Sequence, residues 1–238
     1  MILKLKMRLF SLLLLVASGS VFGANFSNVE KADSLFLNKK YTEAYYLYED
    51  VFKSGQASSA MLLKMAFIQD GSDNFSEALY FLDLYYQKTG DRSVVTKIEE
   101  LAEENDVKGY SYDDLDFFSI LLKRYNIEGQ LILGTLALLL LMYAYRKRKN
   151  GYRPSTAFAF QIVVLFSLMF ISNYKSKDKA IIESDQTLLR SAPSAGGEPV
   201  EFVSKGHKVD VLEQMDVWTK ISWEGDVVYI RNGRLKVI

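Results

Sequence analysis

Two apolar runs, Leu131–Ala144 and Ala157–Ile171, stand out from a chain whose other apolar residues are mostly periodic. Between them lies the basic stretch Arg146-Lys147-Arg148-Lys149-Asn150-Gly151-Tyr152-Arg153-Pro154. Extended to 129–145 and 155–174, each run approaches the roughly twenty residues that a bilayer's hydrocarbon core requires. The pattern predicts a transmembrane helical hairpin. Arg146, Lys147, Arg148, Lys149 and Arg153 determine its topology, because a short, densely basic connection, here 146–154, is retained on the cytoplasmic side. Lys123, Arg124, Lys175, Lys177 and Lys179 outside the hairpin match that number but are more dispersed. Tyr143, Tyr145, Tyr152 and Tyr174 fit interfacial belts. Gln161 is the one strongly polar side chain deep in either run, and a hydrogen bond between the two helices is its expected role.

The first residues repeat the theme on a smaller scale. Lys4, Lys6 and Arg8 precede the apolar stretch Leu9–Ala17, and small residues follow up to Ala24. Residues 1–23 therefore read as a secretory signal peptide, with cleavage expected after Gly23. Export of the following segment and a cytoplasmic hairpin turn agree. Both place the segments on either side of the hairpin on the extracytoplasmic face of the inner membrane.

From 24 to 110 the apolar positions take a helical period, and the pattern repeats at an offset of 34 residues. Ala32 recurs as Ala66, Tyr41 as Phe75, Glu43 as Glu77, Ala44 as Ala78 and Tyr48 as Leu82. Each aromatic-x-x-Ala-x-x-x-apolar unit marks the second helix of a helix–turn–helix pair, the alanine allowing close approach. Two such units resemble the tetratricopeptide (TPR) repeat, an all-α array. The resemblance implies that the first helix of each pair lines a binding groove, here through Asp33, Phe36, Leu37, Leu63, Phe67 and Asp70. The plainer alternative makes Phe36 and Phe67 inter-helix core. Ser93–Glu104 is expected to cap the array. Over 111–126, Ser111-Tyr112-Asp113-Asp114 reads as a capping box opening a connecting amphipathic helix with Leu115, Phe118, Leu122 and Tyr125 on one stripe. Its acidic polar face favours packing on the repeats over lying on lipid.

After the hairpin the period changes to two. Ala180–Glu183, Thr187–Arg190, Val200–Val203, Lys208–Leu212, Trp218–Trp223 and Asp226–Ile230 read as short strands separated by turn residues. The segment 180–238 is expected to form a small all-β barrel. Leu189-Arg190-Ser191-Ala192-Pro193-Ser194, Gly206-His207-Lys208-Val209, Trp218-Thr219-Lys220-Ile221 and Val228-Tyr229-Ile230 resemble the bacterial SH3 module, although Val228 stands where that family usually has glycine. Trp218 and Tyr229 are aromatics able to hold a peptide, with Trp218 also a candidate for packing the barrel.

Composition narrows the chemistry. The chain carries no net charge, but residues 24–126 hold 11 Lys/Arg against 18 Asp/Glu, and no basic patch suited to nucleic acid appears. There is no cysteine, which removes thiol catalysis, disulfides and lipoprotein acylation. A zinc site would have to be built mostly from carboxylates around the single histidine, His207. His207 itself is expected in a solvated turn. Glu99, Glu100, Glu103 and Glu104 spread over a solvated helix face, no Gly-x-Ser-x-Gly motif is present, and Gly196-Gly197 lacks the lysine and helix of a phosphate loop. No cofactor, metal or catalytic set is expected, and the chain reads as a non-enzyme.

The resulting order is signal peptide, TPR-like repeats, connecting helix, hairpin and SH3-like module: a multi-domain membrane protein. That order resembles the BatE-type, TPR-containing proteins of the Bacteroides aerotolerance (Bat) operon family. The resemblance implies a membrane-anchored scaffold in the cell envelope that acts with Bat partners carrying von Willebrand A-type domains, in oxidative-stress tolerance or envelope integrity. The alternative is a cell-wall tether whose SH3-like module binds peptidoglycan or its stem peptides.

Overall fold

The computed structural model describes residues 27–151, 155–174 and 178–238. The expected signal peptide, residues 1–23, lies outside the described residues, as does Arg153. The described residues form two compact units, one comprising those up to Lys108 with Lys205–His207 and Ile238, the other those of Gly109–Ser204 with Lys208–Val237.

The first unit is helical. Residues 27–37 form α1, followed by α2 (Tyr41–Lys53), α3 (Ser59–Asp70), α4 (Phe75–Thr89) and α5 (Ser93–Glu104). Local chemistry fixes several ends. The Ser58 hydroxyl accepts from the Met61 N–H at 3.1 Å and caps α3. Gly90 ends α4 in the left-handed conformation, φ 68°, which costs glycine little. Three of the five pairs related by the 34-residue offset occupy equivalent interior places: Ala32 and Ala66 are buried, as are Ala44 and Ala78, and Tyr48 and Leu82, whereas Tyr41 and Phe75 are half-buried and Glu43 is exposed. Around them close Val51, Met61, Met65, Leu79, Phe81, Tyr86 and Ile98. His207 belongs to this unit and differs from expectation. It is buried rather than solvated, and its Nδ1 accepts the Lys108 N–H at 3.0 Å.

The second unit begins with α6 (Asp114–Arg124) and the long helices α7 (Asn126–Lys149) and α8 (Ser155–Asn173). The α6 cap is Asp113, not Ser111: its carboxylate accepts from the Asp116 N–H at 2.7 Å. No α6 residue is buried, and Leu115, Phe118 and Tyr125 are exposed. Helices α7 and α8 are each long and apolar enough to cross a membrane. The basic stretch is not simply a turn, because Arg146, Lys147, Arg148 and Lys149 form the last turn of α7. There their charge also complements the helix C-terminus. The two helices pack through Ala137, Ala144, Ala157, Gln161 and Val164, mostly small side chains that permit close approach. Gln161 is buried, but no hydrogen bond reaches its Oε1 among the described residues. The bond between the helices is made instead at one end, where Asn126 Nδ2 donates to the Ile171 carbonyl at 3.0 Å.

Seven antiparallel strands complete this unit: β1 (Asp178–Ile182), β2 (Thr187–Arg190), β3 (Pro199–Val203), β4 (Lys208–Gln214), β5 (Trp218–Trp223), β6 (Asp226–Arg231) and β7 (Leu235–Val237). Their order in the sheet is β3-β2-β6-β5-β4-β1-β7. Ladder irregularities at Leu189/Arg190 and Val211/Glu213 bend it. Alternation supplies the core: Ala180, Ile182, Leu189, Val203, Val209, Ile221, Trp223, Val228 and Ile230 face inward. Val228 is thus a core side chain where a glycine would leave space. Before α7, the chain also grips this sheet. Lys208 is buried beneath Tyr110 and Tyr112, with Nζ 4.3 Å from the Tyr112 ring centroid and 3.1 Å from its hydroxyl, while Lys179 pairs with Asp116 at 2.8 Å.

Ile221 is fully buried at the centre of the β5 stripe. Ile221→Ala is expected to destabilise the barrel by about 2–5 kcal/mol, measured by thermal unfolding followed through tryptophan fluorescence. An unchanged midpoint would contradict this core assignment.

Candidate binding surfaces

In the helical unit, the expected groove residues fall on α1 and α3, which two ion pairs join to each other and to α5. Lys64 Nζ on α3 lies 2.7 Å from Asp33 Oδ1 on α1, and Lys97 on α5 lies 3.3 Å from Asp70 Oδ2 on α3. The same Asp33 oxygen accepts the Tyr48 hydroxyl at 2.5 Å, linking α1 to α2. Burial pushes Asp33 up, but the Lys64 and Tyr48 hydrogen bonds and the Lys64 charge outweigh it and hold the carboxyl below its ordinary value. Tyr48 moves up through burial and the Asp33 carboxylate. Tyr45, on the same helix, is pushed up to about 12 by burial and by Glu77.

Beside this node, Phe36, Tyr41 and Phe67 stack edge-to-face with centroids 5.4–5.7 Å apart. Phe36 is half-buried in that cluster, whereas Phe67 and Leu37 are exposed and Leu63 is marginally so. The structure therefore joins Asp33, Phe36 and Phe67 around Lys64. Asp70 belongs to the second ion pair, and neither Leu37 nor Leu63 enters the aromatic cluster.

The barrel presents a different surface. A cleft of about 340 Å³ is lined by Gln186, Thr187, Leu188, Arg190, Ala195, Val217, Trp218, Arg231 and Arg234. Trp218 is half-buried and stands outside the core cluster; the tryptophan that packs the barrel is Trp223, whose Nε1 donates to Glu201 Oε2 at 2.7 Å. The strand register explains the difference. In β5 the even positions face outward and the odd ones inward, so Trp218 and Trp223 point to opposite sides.

The turn before Trp218 is braced by one side chain. Asn232 Nδ2 donates to the Met215 and Asp216 carbonyls at 3.0 and 2.9 Å, while its Oδ1 accepts the Thr219 hydroxyl at 2.7 Å. Tyr229 lies on the same outer face: it pairs with Lys220, one pleat from the Trp218–Arg231 pair. It does not line the cleft. Arg190 Nη1 donates to the Gly197 carbonyl at 2.7 Å, which fixes that guanidinium at one wall. Gly197 permits the tight loop there, since a Cβ would stand 2.9 Å from the Ala192 carbonyl oxygen. Sequence reasoning missed the arginines because Arg190 is remote in sequence from the Arg231-Asn232-Gly233-Arg234 turn. Their signal was available only as basic residues at strand ends.

Residues 187–236 match the family model described as bacterial SH3 domain. The match begins with β2 and ends within β7, and the antiparallel sheet is consistent with an SH3-like domain. No curated protein and no solved structure matches the chain.

The Asp33 node gives a direct test. Its carboxylate is depressed in the folded state, so its contribution is complete above the ordinary carboxylate range and is lost as pH falls through the folded value. Asp33→Asn is expected to cost about 1 kcal/mol at pH 7, discounted for its partial exposure. The difference from the native chain should shrink as pH falls from 7 through that lowered folded value, as read by thermal unfolding across pH. An equal deficit at both ends of that range would show that charge is not what Asp33 supplies.

Proposed function

We propose that this protein is a non-enzymatic, membrane-anchored component of the cell envelope whose C-terminal SH3-like module binds peptidoglycan or its stem peptides. The carrying observation is the bacterial SH3 match over 187–236, since modules of that family often bind peptidoglycan. The cleft at Trp218 supports it, because a half-buried aromatic on a braced turn gives a peptide a rigid platform. Helices α7 and α8 serve as the anchor, with the basic end of α7 on the cytoplasmic side and both flanking segments outside.

In this reading the helical unit is a TPR-type protein-binding module. The ion-paired face of α1, α3 and α5, with Leu37 and Phe67 exposed beside it, favours that role. A scaffold role with Bat-type partners carrying von Willebrand A-type domains comes from the order of the modules alone. Two modules on one anchor raise each other's effective concentration at a shared target. A wall ligand for one and a protein ligand for the other would therefore hold a membrane complex against the cell wall.

Detergent-solubilised full-length protein should sediment with isolated cell wall and be displaced by soluble stem peptide. Protein that stays in the supernatant would overturn the wall-binding reading. A stable protein partner recovered through a tag on the same chain would then favour the scaffold reading instead.

A further inference from the structure

Three arginines converge on the barrel cleft, and its lining contains no carboxylate. Arg231 ends β6, Arg234 precedes β7, and Arg190 ends β2. Arg190 is partly satisfied by Gly197, but the Arg231 and Arg234 guanidiniums form no hydrogen bond or ion pair with any described residue. Structural arginines on a small domain commonly pair with an acid or cap a carbonyl. Two free guanidiniums directed at one cleft, with a third fixed at its wall, leave most of their planar donor forks open to a ligand. Such forks match carboxylates bidentately. Leu188, Val217 and Trp218 supply the apolar remainder of the cleft, which suits a short backbone more than a bare inorganic ion.

We infer that the Arg190–Arg231–Arg234 cleft selects short peptides bearing at least two free carboxylates, and so distinguishes acidic from amidated stem peptides. This rests on the wall-binding reading above and names its specificity determinants. Arg231 and Arg234 engage the carboxylates, Arg190 holds the wall of the cleft, and Trp218 packs against the intervening peptide. Asn232 is a positioning residue that holds the turn carrying Trp218.

The test uses full-length protein in nanodiscs and isothermal titration with L-alanyl-γ-D-glutamyl-meso-diaminopimelate, its fully amidated form, and inorganic pyrophosphate. The acidic peptide should bind at least tenfold more tightly than the amidated one, with affinity falling as salt rises. Arg231→Gln with Arg234→Gln should remove that preference, and Arg231→Lys with Arg234→Lys should restore part of it, since charge returns without the fork. Both positions are exposed, so the barrel core is undisturbed. Equal affinity for the two peptides, or a preference that survives the double glutamine variant, would overturn the assignment. So would pyrophosphate binding as tightly as the acidic peptide, which would make the cleft a general oxyanion site. Native protein that sediments with cell wall while failing these criteria contradicts this inference alone. Native protein that binds neither wall nor peptide contradicts both.

Discussion

The constraint on which the architecture depends is the apolar surface of the α7–α8 hairpin. Leu131, Ile132, Leu138, Phe160, Phe166 and Phe170 are each more than 60% exposed, on two helices whose mutual contact is made largely by alanine. Such a surface is costly in water at about 25 cal/mol per Å² and costs nothing in hydrocarbon. In lipid a small contact between two such helices would suffice, because hydrocarbon accepts the outward faces. Tyr143 and Tyr145 near the basic end of α7 are outward-facing as well, which suits an interface. The polar groups follow the same logic: Asn126 bonds across the helices at an end, and Gln161 is turned inward.

The two folded modules solve the stability problem differently. The helical unit repeats one solution, a small alanine at each close helix contact, and then adds specific polar ties between successive helices. Asp33 joins three helices through one oxygen, accepting from both Lys64 and Tyr48. The sheet has few residues with which to build a core, so alternation, cleanest in β2 and β5, carries much of it. Its inward positions are nearly all β-branched or aromatic, which favours the pleated geometry. Its outward positions are then free for ligand chemistry, and that is where Trp218 and the arginines lie.

Periodicity made much of this legible. The strands around Thr187, Trp218 and Asp226 follow from alternation, and the helices around Tyr41 and Phe75 from the 34-residue offset. The parts that escaped have identifiable causes. Strand β7, Leu235–Val237, is three residues long with a lysine at its centre, too short for a period to show. Arg146–Lys149 break the apolar run in sequence, but nothing in their chemistry stops a helix, so α7 continues through them. His207 follows a glycine in a polar stretch, and its burial depends on Lys108, ninety-nine residues away. The cleft was the least visible feature. It exists only because sheet register brings residues 190, 218, 231 and 234 together, while Trp218 and Trp223 are indistinguishable until the register assigns their faces.

The claim that joins these parts is that the hairpin spans a membrane and leaves both modules on its outer side. It is tested most directly by single cysteines introduced at Ser54, Lys149 and Ser204 in this cysteine-free chain. In intact spheroplasts an impermeant thiol reagent should label the first and last positions and spare Lys149→Cys until the membrane is opened. Labelling of Lys149→Cys in intact spheroplasts, or protection of either outer position, would contradict the account.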